Sequence, residues 1–320
     1  MNNEILFLTD NPDLSRGSYR IWINDLNLYL RDGSISSVIN DNPSKYDIII
    51  LDKNFANYYP TLKTQYPNKK IGIINLGRDS NLKPDFIIVG SIEEMDSLNH
   101  HKNVFLFPLI ENMFQNCKQK LHKQDDVLKI CYHGNIFHLN AFSLGLKTAL
   151  EELDKEIPVY LKIITGSSNP NWIKGKPNIN IQYIKYNLDT IGSDISDSDI
   201  GIVPNISYIN ESPNVDNNEG LLNTDYMVRF KNKSNAGRAF VFHQLGIPVV
   251  ADLTPSNLHI LGNPKNGFCV LSTNGWLKAF RKLKDYKVRQ EIANNAKDEF
   301  DRLYDPIIWA KDLYEEIRKI

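Results

Sequence analysis

The feature that most constrains the fold is a series of short, unbroken apolar segments separated by stretches of helical spacing, and the series occurs twice. In the first half, residues 5–8, 47–51, 70–76, 86–89 and 104–107 are apolar runs of strand length. Between the first two, Ile21, Trp22, Leu26, Leu28 and Leu30 recur at helical spacing over 18–30. Unbroken apolar runs fit strands buried on both faces, and strands separated by helices fit parallel βαβ units. After a polar stretch at 112–126 the pattern restarts. Residues 127–132, 159–165, 179–185, 199–204, 248–251 and 268–271 read as strands, with helices over about 140–153 and from 273 onward. A break at 305 and 306 precedes a last helix over 307–320. The expected architecture is α/β, with two Rossmann-like domains facing a cleft. Their expected boundaries are 1–115 and 116–304, with 305–320 as a terminal helix packing back on the first domain.

Composition narrows the class. The chain has 320 residues, 42% hydrophobic and 23% charged, with a formal net charge of -1. A dedicated nucleic-acid binder carries a basic excess, so nucleic acid is not an expected partner and any phosphate recognition should be local. Cys117, Cys131 and Cys269 are widely spaced, with no CxxC pair. That disfavours a disulfide framework or a zinc site and favours a reducing compartment. The start, MNNEILFLTDNPD, lacks the basic and apolar regions of a signal peptide. No window reaches the roughly 20 apolar residues that span a bilayer. The expected location is cytoplasmic, with peripheral contact at the inner face of a membrane left open.

Residues 229–252, RFKNKSNAGRAFVFHQLGIPVVAD, are the most informative stretch for function. They read as a basic loop feeding a short helix that ends at Gly246, followed by an apolar strand. Arg229, Lys231, Lys233, Ser234, Asn235 and Arg238 place cations and donors around the start of that helix, where free N–H groups favour a phosphate. A solvated basic turn before a core helix is the alternative, and Asn235 would also suit a helix cap. His133, Gly134 and Asn135 follow the strand at 127–132, where a tight turn or a close ligand approach both call for glycine. The stretch 205–224 is the longest without regular pattern, and a loop of that length is usually functional or mobile. Neither GxGxxG nor a Walker A lysine motif occurs, which disfavours NAD enzymes and P-loop NTPases. GxSxG, HExxH and the protein-kinase signatures are also absent.

Several segments of the second half resemble the C-terminal domain of GT-B glycosyltransferases, especially the group related to family 4. They are KICYHGN, INIQYIKYNLDTIGSDISDSDIGIVPN, KSNAGRAFVFHQLGIPVVAD and NGFCVLSTNGWLKAFRKLKDYKVRQEIANNAKDEFDRLYDP. In the first half only GSYRI is similar. The resemblance covers about 127–310 well. It implies sugar transfer from a nucleotide-sugar donor to a glycan or lipid-linked acceptor, in a setting such as bacterial surface polysaccharide assembly. It implies no cofactor and no metal, since leaving-group charge would fall on cations and a helix N-terminus. The donor would lie against His133, Gly134, Asn135, Arg229, Lys231, Lys233, Ser234, Asn235 and Arg238, with Tyr186 at the nucleobase. Arg16, Gly17, Arg20 and Glu211 would face the acceptor, and Asp10 or Asp13 would act as base if the enzyme inverts. The chain departs from family 4 in two respects: the two glutamates usual around this helix align with Lys233 and Val241, and the Arg/Lys pair usual after the first strand of this domain is missing, with His133 and Asn135 in that loop instead. A non-catalytic sugar- or partner-binding relative, a nucleotide-sugar epimerase and a two-lobed solute-binding protein are the competing readings.

Overall fold

The computed structural model describes residues 4–76, 80–98, 100–140, 145–166, 170, 172, 175–204, 206–208, 228–230 and 237–320. These fall into two compact units, 4–112 with 304–320, and the described residues between 113 and 303. The first unit holds strands β1 (Ile5–Leu8), β2 (Ser37–Ile39), β3 (Ile48–Leu51), β4 (Lys70–Ile74), β5 (Phe86–Val89) and β6 (Val104–Leu106). They form one parallel sheet in the order β2-β1-β3-β4-β5-β6. Strands β1, β3 and β5 are buried along their whole length, as unbroken apolar runs require. A helix follows β1 in three parts: α1 (Gly17–Tyr19), a π-helical turn (Arg20–Asp25) and α2 (Leu26–Asp32). Helices α3 (Tyr59–Gln65) and α4 (Ile92–Ser97) cover later crossovers. β2 escapes a sequence reading because it is a three-residue strand on the sheet edge.

In the second unit β7 (Leu128–His133), β8 (Val159–Thr165), β9 (Asn180–Lys185) and β10 (Ile200–Val203) come first. β11 (Ile206–Tyr208) and β12 (Val228–Phe230) form a separate antiparallel pair. β13 (Val249–Asp252) and β14 (Gly267–Val270) complete a parallel sheet ordered β14-β13-β10-β7-β8-β9. The helices are α5 (Phe137–Asn140), α6 (Leu146–Asp154), α7 (Ile191–Ser196), α8 (Gly237–Gln244), α9 (Pro255–Leu261), α10 (Thr273–Leu283) and α11 (Tyr286–Leu303). The β11–β12 pair corrects two expectations. Residues 206–208 begin no patternless loop, and Arg229 lies in a strand. The segment between the two strands lies outside the described residues.

The last helix, α12 (Pro306–Arg318), belongs to the first unit. Asp305 caps it, accepting from the N–H groups of Ile307 and Ile308 at 2.8 and 3.3 Å, and Pro306 fills the first helical position. Its Ala310, Leu313, Tyr314 and Ile317 pack with Ile5, Phe7, Trp22, Leu26 and Ile50 in one apolar core. At its far end the Lys70 ammonium donates to the carbonyls of Ile317 and Arg318 at 3.2 and 2.8 Å, covering the negative end of the helix.

The chain between the units is pinned at both ends. In the first unit Tyr29 Oη donates to the Ile110 carbonyl at 3.0 Å, and Asp25 accepts from the Asn112 N–H at 3.1 Å. In the second, Asp199 pairs with Lys120 at 3.3 Å and Arg289 at 3.7 Å while accepting from the Lys129 N–H at 3.0 Å. The His122 ring meets the Gly246 carbonyl at 2.9 Å, and Arg289 donates to the Lys123 carbonyl at 2.9 Å.

Helix α8 is seated against the second sheet through a missing side chain. A Cβ on Gly201, in β10, would lie 2.5 Å from the Phe242 ring of α8. Phe242 is fully buried, so its ring has no open solvent to move into. Gly201→Ala should therefore destabilise the protein by about 1–3 kcal/mol, as overpacking does. Adding Phe242→Leu should recover part of that loss in thermal unfolding; a loss unchanged by the second substitution would refute this account of the packing.

Candidate functional site

In the second sheet the strand order reverses between β7 and β10. Open parallel sheets bind ligands outside the carboxyl ends of the strands at such a switch point. The end of β7 supplies Tyr132, His133 and Gly134. Gly134 has φ +120°, a left-handed conformation open to glycine. Its N–H donates to the Ile164 carbonyl at 3.0 Å, so the turn stays tied to neighbouring β8. A Cβ on Gly134 would lie 3.2 Å from Arg238 Cδ. The bare glycine thus lets the second residue of α8 come down beside the strand end.

Arg238 is held there by Tyr132. Its Nη1 donates to Tyr132 Oη at 3.1 Å, and its guanidinium carbon lies 5.4 Å from the ring centre, a cation–π contact. The Tyr132 hydroxyl in turn donates to the Asn135 carbonyl. Burial pushes the Tyr132 phenol up to about 12, against the pull of the Arg238 charge, so it stays a neutral donor and acceptor. His133 packs edge-on against Phe242 with ring centres 5.0 Å apart. Burial, then the Arg238 cation, drive its ring down to about 3, against a hydrogen bond to the Arg238 backbone. His133 is therefore neutral across the physiological range, and Arg238 carries the positive charge at this corner.

At the end of β13, Asp252 and Asn257 are buried, and the Asn257 amide donates to the Asp252 carbonyl at 2.8 Å. Neither residue stood out in the sequence, and nor did Tyr132. The only signal for Tyr132 was an aromatic residue two places before a glycine at a strand end. Tyr186 directly follows β9, its N–H bonded to the Thr165 carbonyl at 2.9 Å, at the same carboxyl edge as His133.

The sequence matches no protein-family model and no curated protein. Solved structures do match. Sucrose-phosphate synthase from Thermosynechococcus elongatus aligns with TM-score 0.66 at 12% identity, over 99% of this chain and 98% of that one. A glycosyltransferase from Rickettsia africae aligns at TM-score 0.65 and 14% identity, over 99% and 98%. HepE from Anabaena, solved with UDP and glucose, aligns at TM-score 0.65 and 11% identity, over 99% and 100%. The fold is GT-B.

Within this GT-B chain the other expected site residues are placed as follows. Asn135 is exposed, beside the turn. Arg229 is in β12. Lys231, Lys233, Ser234, Asn235 and Glu211 lie outside the described residues. Val241, aligned with a family glutamate, is fully buried in α8. In the first sheet the order reverses at β1, and Asp10, Asp13 and Arg16 lie in the loop that follows it. Asp13 accepts from Ser15 Oγ at 2.8 Å and from its N–H at 2.9 Å. Those bonds hold its carboxyl below the usual range, which weakens it as a base. Gly17 opens α1, where a Cβ would make only ordinary contacts. Arg20 is buried, its guanidinium 2.7 Å from Glu111 and 2.9 Å from the Leu14 carbonyl, so these bonds stiffen the unit.

Proposed function

We propose that this protein is a glycosyltransferase that takes a sugar from a nucleotide donor and passes it to a glycan or lipid-linked acceptor. The observation that carries this reading is Arg238, a buried cation at the start of α8, brought to the switch point of the second sheet by Gly134. A cation and helix N–H groups at one point suit the diphosphate of a leaving nucleotide. The cations at 231 and 233 would add to this charge, and Tyr186 would meet the base. The acceptor belongs to the loop after β1, with Asp10 and Asp13 the base candidates and Arg16 in the same loop. HepE and an α-glucosyltransferase, both similar in fold, were solved with UDP, which makes UDP the first nucleotide to try. The chemistry proposed needs no cofactor and no divalent ion. The proposed setting is glycan assembly at the cytoplasmic side of a membrane; no helix among the described residues is long and apolar enough to cross one.

Val241 supports a second reading. Where family 4 members carry a glutamate that binds the donor ribose, this chain has a buried apolar residue. Recognition of the ribose therefore differs, or the protein binds a sugar nucleotide without turning it over. Calorimetric binding and thermal shifts across UDP, GDP, ADP, TDP and CMP test the first point. One nucleotide should bind selectively, and Arg238→Ala should weaken it by about 10–100-fold, the range for a lost hydrogen bond to a charged group. No binding by folded protein would overturn the donor site. Binding without donor hydrolysis or transfer would establish the non-catalytic reading.

A further inference from the structure

Tyr132 contacts two parts of the candidate donor corner, Arg238 and the turn after β7. It is the penultimate residue of β7 and fully buried. Its hydroxyl accepts from Arg238 Nη1 at 3.1 Å and donates to the carbonyl of Asn135, and its ring lies under the guanidinium at 5.4 Å. Between these partners Gly134 turns at φ +120° with Arg238 Cδ against its open face. Tyr132 thus joins the turn after β7 to the start of α8, segments more than a hundred residues apart in sequence.

An arginine side chain has several rotatable bonds and loses substantial rotamer freedom when it grips an anion. Its five N–H donors form a rigid planar fork, so fixing one edge and one face orients the rest. An arginine held in place before the ligand arrives binds more tightly, because the ordering cost has already been met by the fold. Resting on the donor-site reading above, we propose that Tyr132 is a positioning residue: it presets the Arg238 guanidinium for the phosphates of the nucleotide donor. The hydroxyl sets direction through a hydrogen bond, and the ring supports the charged face. The residue acts through Arg238 and need not touch the donor itself.

The test is a double-mutant cycle on ligand affinity, with inorganic pyrophosphate and UDP as probes, so that phosphate contacts are read apart from base contacts. Tyr132→Phe keeps the ring and removes the hydroxyl. It should weaken both probes about three- to tenfold, the range for one hydrogen bond, with Tyr132→Leu worse because the ring is lost too. In an Arg238→Ala background Tyr132→Phe should add less than twofold, since its effect passes through Arg238. A tyrosine that merely held the fold would lower the melting temperature and leave probe affinity unchanged, or lower affinity equally with and without Arg238. Either result overturns the proposal. The donor-site reading fails separately, taking the proposal with it, if Arg238→Ala leaves both probes bound as in the parent or if folded parent protein binds neither.

Discussion

As the pH falls from about 6.5 to 4, the second unit is expected to lose more stability than the first. Three buried histidines drive the loss. Burial pushes His122 down to about 4, against its bond to the Gly246 carbonyl; it pushes His243 to about 4 as well, and His133 to about 3. All three are neutral in the folded unit, whereas in the unfolded chain they take up protons below about 6.5. The unfolded state then binds more protons, so stability is full above 6.5 and declines steadily as acid is added. At about 1.4 kcal/mol per pH unit of displacement, each is worth roughly 2–3 kcal/mol by pH 4. Together they rival the stability of a typical domain. The first unit is mixed: burial lowers His101, and hydrogen bonds hold Asp13 and Asp41 down, while two carboxyls shift the other way. Burial raises the carboxyls of Asp25 and Glu111, so what they contribute is full below the ordinary carboxylate range and is lost as pH rises. Calorimetric scans between pH 7 and 4.5 should show two transitions drawing apart, and His243→Leu should flatten the slope of the acid-labile one. Transitions that fall in parallel would show that the buried rings do not control acid stability.

Replacing Asp199 with alanine should destabilise the second unit by about 3–5 kcal/mol, the range for breaking a buried charge pair by removing one partner. Lys120 and Arg289 lie within 3.3 and 3.7 Å of its carboxylate, and Arg289 is 2% exposed. Burial already lowers the pKa of both cations, and the carboxylate is the chief influence opposing it. With the carboxylate gone, two cations remain with little compensation beside His122. The melting temperature should fall by roughly 10 °C. Asp199→Asn keeps an acceptor for the Lys129 N–H and should cost less. Asp199→Leu combined with Arg289→Met should recover part of the loss, because an apolar replacement of the pair leaves fewer unmatched charges. An alanine variant as stable as the parent would mean that the linker is held by its backbone bonds alone.

The layers of this fold were legible because parallel strands buried on both faces must be apolar throughout, and runs such as those in β3 and β5 have no other use. The elements that escaped were short or paired over distance. β2 offers only Ser37, Val38 and Ile39, and β11 finds β12 across about twenty residues, too far for a tight hairpin turn to mark the pair. At the candidate site, Arg238, His133 and Gly134 stood out because their neighbours in sequence end strands or begin helices. Tyr132 did not, since its role depends on where a hydroxyl points and on a partner far along the chain. Arg20 shows the same limit. Its place after β1 gave no sign of its bond to Glu111, 91 residues away. Polar pairing between distant residues leaves no period in the sequence.

The allegiance of α12 also orders events during synthesis. The first unit begins with β1, yet its core closes only when Ala310, Leu313, Tyr314 and Ile317 arrive. A chain growing from its N-terminus has by then released all of 113–303, which can fold while the earlier residues still wait for their last helix. During that interval the apolar face of α2, later covered by α12, is open to water and to chaperones. The segment that starts first therefore finishes last, and a chain cut before residue 306 would have a complete second unit and an unfinished first one.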